Sequence, residues 1–185
     1  MIKGGEMSFN FTETAIEGLV IIEPHVFHDQ RGFFLETYKK SEFRDHGIYA
    51  VFVQDNHSCS HKGILRGLHF QREPFAQGKL VRVIYGSVWD VAVDIRPGSS
   101  TYGRWFGLEL NDENHYMIFI PAGFAHGFVT LSEKAEFEYK CTCEYNKESE
   151  GGIRWDDPDI DIKWPNRDVK VSEKDKLLPY MKDGI

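Results

Sequence analysis

The chain has 185 residues, 41% of them hydrophobic, enough to bury one sizeable core and short for two full domains. Its 22 lysines and arginines against 29 aspartates and glutamates leave a formal charge of −7, which argues against broad binding to nucleic acid or to an anionic membrane surface. An anionic ligand must therefore meet a local cluster of cations.

The opening "MIKGGEMSFNF" lacks the apolar stretch of a signal peptide, and "GLVIIEP" is far too short to span a bilayer. Three cysteines, Cys59, Cys141 and Cys143, make an odd set in a chain large enough to dispense with disulfide staples. The expected location is the cytoplasm. The expected organisation is a single domain over residues 1–185, with residues 1–6 a loose extension ahead of an alternative start at Met7.

Short β-rich runs then follow one another: "GLVIIEPHVF", "RGFFLETYK", "VFVQDNHS", "ILRGLHFQ", "KLVRVIYGSVWDVAVDI", "YGRWFGLEL", "HYMIFIPAG", "AHGFVTL" and "AEFEYKCTCEY". Turn chemistry separates them at "HDQRG", "RPGSST", "NDENH" and "LSEK". Many strands at short spacing predict an all-β protein, an antiparallel sandwich or barrel of the jelly-roll kind. Two short helices are predicted, one in "SEFRDHG" with Ser41 as its cap and Gly47 as its stop, the other in the tail "SEKDKLLPYM" behind Ser172.

Successive strand residues point to opposite faces, so period-2 alternation groups side chains. His69 shares a face with Gly67 and Gln71, and Asp90 shares one with Ala92 and Asp94. Tyr139, Cys141, Cys143 and Tyr145 share another, and a straight strand would separate the two tyrosines by about 20 Å.

His69 is the first candidate for chemistry. A histidine in an apolar run is often a core residue with one satisfied hydrogen bond. Here Gly67 permits close backbone approach, and Arg66 and Lys79 are cations that a buried strand does not carry without an anionic partner. A general base is the better reading of His69. Asp175, in Ser172-x-x-Asp175, has the form of an acidic capping box, which is what the residues by themselves favour; the functional alternative is a carboxylate that holds one nitrogen of His69.

Metal binding is the natural rival. "PAGFAHGF" has the Pro-x-Gly-x-x-His arrangement of the second cupin motif and offers His126. The first motif needs His-x-His followed by Glu, whereas His69 and Phe70 are followed by Gln71, with Gln77 and Lys79 beyond. A neutral amide and an ammonium replace two ligands, so no metal site is expected. Cys141-x-Cys143 lacks a second ligand pair.

In order along the chain, "DQRGFFLE", "FVQDNHS", "LRGLHFQ", "QGKLVRV", "WDVAVDIR", "IPAGFAHGF", "AEFEYK" and "WDDPDIDIKWP" resemble the dTDP-4-dehydrorhamnose 3,5-epimerase family. The resemblance covers all but the first dozen or so residues. It implies a metal-free, cofactor-free cupin jelly roll, acting as a homodimer on a dTDP-sugar. It also implies a base at His69, an orienting carboxylate at Asp175, an opposing acid at Tyr139, and Lys79 facing the substrate's keto oxygen. Nucleotide and phosphate contacts would fall on Arg31, Phe33, Glu36, Gln54, Asn56, Arg66, His126, Glu150 and Lys174, Asp55 would be a further substrate contact, and Tyr145 would stack on the thymine base.

The implied reaction inverts C3 and C5 of dTDP-4-dehydro-6-deoxy-D-glucose. Both carbons lie α to a ketone, so a base on one side of the ring and an acid on the other suffice. The alternatives are a mono-epimerase acting at one of these carbons, a metal-dependent cupin oxygenase or isomerase, and a cupin that binds sugar without turning it over. A homodimer in which the N-terminal strand of one subunit extends the sheet of the other is the expected assembly.

Overall fold

The computed structural model describes residues 8–184. Thirteen strands run in chain order: β1 (Phe9–Glu13), β2 (Val20–Pro24), β3 (Val26–Asp29), β4 (Gly32–Leu35), β5 (Gln54–His61), β6 (Leu65–Gln71), β7 (Lys79–Tyr85), β8 (Ser87–Asp94), β9 (Trp105–Asn111), β10 (Met117–Ile120), β11 (Phe124–Thr130), β12 (Lys134–Cys141) and β13 (Glu150–Gly152). Two short helices, α1 (Lys40–Asp45) and α2 (Glu173–Lys176), complete the set with two 3₁₀ turns. Among the described residues no helix is long and apolar enough to cross a membrane.

The strands form a six-stranded sheet in the order β1-β2-β10-β7-β12-β5 and a five-stranded sheet in the order β13-β6-β11-β8-β9. All the pairings between these strands are antiparallel. This is the cupin-like β-sandwich predicted from the strand spacing. The β3–β4 hairpin is a separate two-stranded sheet, bonded to neither large one.

Both large sheets are covered on both faces, which is why many strands read as near-continuous apolar runs. Between the sheets, Val81, Val83, Ala92, Ile118, Phe128 and Phe137 form one buried cluster. The outer face of the five-stranded sheet, with Leu65, Leu68, Val91 and Val93, is covered by Ile153, Ile160, Ile162 and Trp164 of the C-terminal segment. The outer face of the six-stranded sheet, with Ile22, Leu80 and Met117, is covered by Phe43 of α1 and by Ile48. Burying three such clusters supplies the main favourable free energy of the fold.

Several expectations need correction. The run "GLVIIEPHVF" breaks at Pro24 into β2 and β3, which belong to different sheets. Both β1 and the three-residue β13 lie outside the predicted runs. Ser41 does not cap α1: the cap position is Lys39, with no side-chain bond, and Ser41 lies inside the helix. Glu42 takes over the local bonding, accepting from Ser8 N at 2.9 Å and from Lys39 Nζ at 2.7 Å. Gly47 does stop the helix, at a φ of +82° that favours glycine. Ser172 caps α2 by accepting from Asp175 N at 3.0 Å, but the helix is a single turn. Pro179 restricts the residue before it to extended conformations, so the predicted longer tail helix does not form. Residues 1–6 and Met7 lie outside the described residues.

One buried carboxylate holds the turn after β8. Asp94 is fully buried and accepts from Arg96 Nη2 at 2.7 Å and from the hydroxyls of Ser99 and Thr101, each at 2.6 Å. Burial alone would raise its pKa, but the donors from Arg96, Ser99 and Thr101 outweigh it and hold the carboxyl well below its ordinary 3.8. Its stabilisation is therefore complete above pH 3.8 and is lost as pH falls towards the folded-state value. Asp94→Asn is expected to cost about 2 kcal/mol in urea denaturation at pH 7, with the difference from wild type shrinking as the pH drops below about 3.

Candidate active site

A cleft of about 550 Å³ opens between the two large sheets. Period 2 decides what it receives. On β6, Leu68 and Phe70 point outwards into the core beneath the C-terminal segment, and His69 and Gln71 line the cleft. On β7, Leu80 packs outwards while Lys79 faces in, and on β12 Phe137 and Tyr139 face in. His69 and Tyr139 thus enter one cleft from opposed sheets.

His69 Nε2 lies 2.7 Å from Asp175 Oδ1. A carboxylate can only accept, so Nε2 carries the proton and Nδ1 keeps the free lone pair. Asp175 is buried, which would raise its pKa, but the bond and charge of His69 together with the donors from Gly67 and Ser172 outweigh burial and lower it. Both contacts weighed for Asp175 are present: its main-chain N–H donates to Ser172 Oγ in the helix cap, leaving the carboxylate for His69 and for Gly67 N at 3.4 Å.

Gly67, at φ +133°, makes this possible. A Cβ there would stand 2.6 Å from Gly127 Cα, so a side chain would push β6 away from β11. The close approach anticipated at Gly67 is thereby observed, and it keeps His69 in register with His126 on β11.

Lys79 is buried, and its Nζ lies 6.0 Å from the centroid of the Tyr139 ring. Burial lowers the pKa of its ammonium, opposed by the negative charge of Asp90. Burial raises the pKa of Tyr139, so its phenol keeps its proton throughout the neutral range. His126 is buried with Nε2 2.8 Å from Asp90 Oδ2; burial outweighs Asp90 and lowers its pKa, leaving a neutral imidazole.

At the mouth of the cleft, Glu150 accepts from Tyr145 Oη at 3.0 Å and pairs with Lys174 Nζ at 2.6 Å. Arg66 is aimed by Ser60, whose Oγ accepts from Nε at 2.9 Å. Tyr139 and Tyr145 do not lie along a straight strand. β12 ends at Cys141, and the next residues bend over the opening. Side chains hold that bend: Gln77 donates to Cys143 O at 2.7 Å, Gln71 accepts from Asn146 N at 2.7 Å, and Gln54 accepts from Tyr145 N at 2.8 Å.

Of the residues singled out in the sequence, His69, Asp175, Tyr139, Lys79, Arg66, His126, Tyr145, Glu150 and Lys174 line this cleft. Gln54 and Asn56 stand behind its wall, joined by a 2.9 Å bond. Asp55 is turned away between them, because alternation on β5 sends it outwards to Lys140 Nζ at 3.0 Å. Arg31, Phe33 and Glu36 do not reach the cleft of their own chain. They belong to the β3–β4 hairpin and the residue just past it, with Arg31 89% exposed and paired to Asp29 and Phe33 58% exposed.

Asp90, Ser60 and Gln71, which carried no assigned role in the sequence, bond to His126, Arg66 and Asn146 at or behind the cleft wall. For Asp90 the signal was present, a carboxylate on the inward face of an apolar strand beside Ala92. Among the described residues no three His, Cys, Asp or Glu side chains come together as a metal-binding group. Where a cupin metal site would need further ligands, the cleft presents Gln71 and the ammonium of Lys79.

Comparison with known proteins agrees with this geometry. The family model described as dTDP-4-dehydrorhamnose 3,5-epimerase matches residues 13–183. The dTDP-4-dehydrorhamnose 3,5-epimerase of Methanothermobacter thermautotrophicus is 54% identical over 171 residues, covering 91% of this chain and 92% of that protein. The crystal structure of the Elizabethkingia anophelis enzyme of the same name superposes with a TM-score of 0.91 at 48% identity, covering 96% of this chain and 99% of that one. The Legionella pneumophila dTDP-6-deoxy-D-glucose-3,5-epimerase, crystallised in complex with dTDP-4-keto-L-rhamnose, gives a TM-score of 0.91 at 48% identity over 94% of this chain and 93% of that one. With the family model matching residues 13–183 and relatives about half identical over almost the whole chain, the chain belongs to the dTDP-4-dehydrorhamnose 3,5-epimerase family.

Proposed function

We propose that this chain inverts C3 and C5 of dTDP-4-dehydro-6-deoxy-D-glucose to give dTDP-4-dehydro-L-rhamnose, in dTDP-L-rhamnose biosynthesis. The observation that carries the reading is the opposition of His69, held by Asp175, to Tyr139 across one cleft, with a buried ammonium beside the phenol.

His69 Nδ1 takes the proton from a carbon next to the ketone, and the electron pair moves to the keto oxygen as an enolate. The ammonium of Lys79 stabilises that oxygen only as its charge develops, which is what lowers a barrier. Tyr139 then delivers its phenolic proton to the opposite face of the same carbon. The carbon has exchanged one hydrogen for another with inversion, leaving an imidazolium and a phenolate. Solvent resets both groups, since the His69 side chain is 34% exposed. Repetition at the second carbon completes the reaction, and no external redox partner is required.

The diphosphate and base account for the mouth of the cleft. Arg66 offers a planar set of donors to phosphate oxygens, and Tyr145 offers a half-exposed ring on which a pyrimidine can stack. The ligand in the Legionella relative's complex supports a dTDP-sugar as substrate. Arg31, Phe33 and Glu36 enter the reading through a homodimer, in which the exposed hairpin of a second copy reaches the cleft that its own chain does not. The working unit is one domain per chain, in the cytoplasm, where Cys59, Cys141 and Cys143 stay as free thiols.

Incubation of chelator-treated protein with dTDP-4-dehydro-6-deoxy-D-glucose in deuterated water is expected to place deuterium at both C3 and C5. Deuterium at one carbon alone would make the protein a mono-epimerase, and dependence on added metal would overturn the enolate–ammonium scheme. His69→Ala is expected to lower the exchange rate about 10²- to 10⁴-fold. Asp175→Asn replaces an acceptor-only carboxylate with an amide whose NH2 can donate to Nε2, so the Nε2–H form of His69 is no longer enforced and the negative charge is lost. It is expected to lower kcat about 10²-fold or more while changing KM for the nucleotide sugar far less, in steady-state assays of the folded variant.

A further inference from the structure

We propose that Asp90 is a positioning residue of this reaction: from behind His126 it fixes that imidazole with its acceptor nitrogen towards the substrate and keeps Lys79 an ammonium. The proposal rests on the epimerase reading for its kinetic consequence and on geometry for the rest.

Asp90 lies in the middle of β8 and is fully buried. Its Oδ2 accepts from His126 Nε2 at 2.8 Å, and its Oδ1, also buried, has no hydrogen-bond partner among the described residues. A buried carboxylate with half its acceptor capacity unused is costly unless a nearby cation compensates its charge. The groups around it decide which cation that is. β11 contributes His126, a neutral imidazole whose ring also lies 6.1 Å from Phe137. β12 contributes Tyr139 and Cys141, whose pKa values are raised by burial, so both are uncharged at neutral pH. β6 contributes His69, already bonded to Asp175, and β10 sets apolar Ile120 opposite Lys79 in register. That leaves Lys79 of β7, itself buried and with no hydrogen-bonded carboxylate of its own.

Two consequences follow. Since the carboxylate accepts from Nε2–H, the neutral His126 turns its Nδ1 lone pair away from Asp90, and His126 lines the cleft. An acceptor there suits a sugar hydroxyl, which can donate, and not an ionised phosphate oxygen, which cannot. The second concerns Lys79. Without a fixed negative charge near it, burial would favour the neutral amine, which cannot stabilise an enolate.

The test combines wild-type NMR with one substitution. In wild-type protein carrying ¹⁵N-histidine and ¹³C-lysine, His126 is expected as the Nε2–H neutral tautomer and Lys79 as an ammonium at pH 7. An Nδ1–H tautomer, an imidazolium or a neutral Lys79 amine overturns the proposal. Asp90→Asn is expected to lower kcat about tenfold or more with KM nearly constant, and to move the alkaline limb of kcat to lower pH by about one unit. A folded Asp90→Asn protein with wild-type kcat and an unmoved alkaline limb overturns it as well. The NMR readouts need neither turnover nor a variant, so they decide even if the substitution unfolds the protein. A failure there also stays distinct from a failure of deuterium exchange.

Discussion

The 2.7 Å bond from His69 to Asp175 joins residues 106 positions apart, and the geometry of the cleft depends on it. It forms only because the C-terminal segment wraps the outer face of the five-stranded sheet, burying Ile160, Ile162 and Trp164, before it returns as α2 beside β6. The packing that stabilises the sheet thereby delivers the carboxylate that orients the His69 imidazole. Gly67 and Gly127 supply the other half of the constraint, since a side chain at either would collide with the facing backbone within 2.6 Å. An imidazole whose tautomer is set by a bond of this kind is preorganised before any ligand arrives.

The second organising feature is the placement of charge in a chain that is negative overall. The carboxylates of the cleft each have a named hydrogen-bond partner: Asp175 with His69, Asp90 with His126, and Glu150 with Tyr145 and Lys174. What a ligand meets is therefore donors and an ammonium in a partly dehydrated space, where their effect on a nearby charge exceeds that in water. Net charge governs solubility and long-range encounter; the walls of the cleft govern recognition.

Much of the architecture was legible in the residues because strand alternation is a local rule. The grouping of His69 with Gln71 on one face follows from period 2 within a single strand, and both line the cleft. Errors arose where local signals are short or where a competing residue takes over. β13 has three residues, two of them glycine, too few to show alternation. Ser41 is a good cap by type, but Glu42 and Lys39 satisfy each other one turn away and the helix begins earlier. Asp55 travels with Gln54 and Asn56 in the family motif, yet the pleat turns it to the opposite face.

By itself, then, the sequence determined the strand-rich class, the side of each strand on which polar groups sit, and the kinds of side chain available for acid–base chemistry. Alternation and turn chemistry act over a few residues and can be read without knowing the partners. Only the tertiary structure decided that Tyr145 folds back over the cleft that holds Tyr139, that one carboxylate serves His69 while its own N–H serves a helix cap, and that Asp90 lies beneath His126. Those relations join strands of different sheets or loops far apart in the chain. They are set by how closely two covered sheets can pack, which no local pattern encodes.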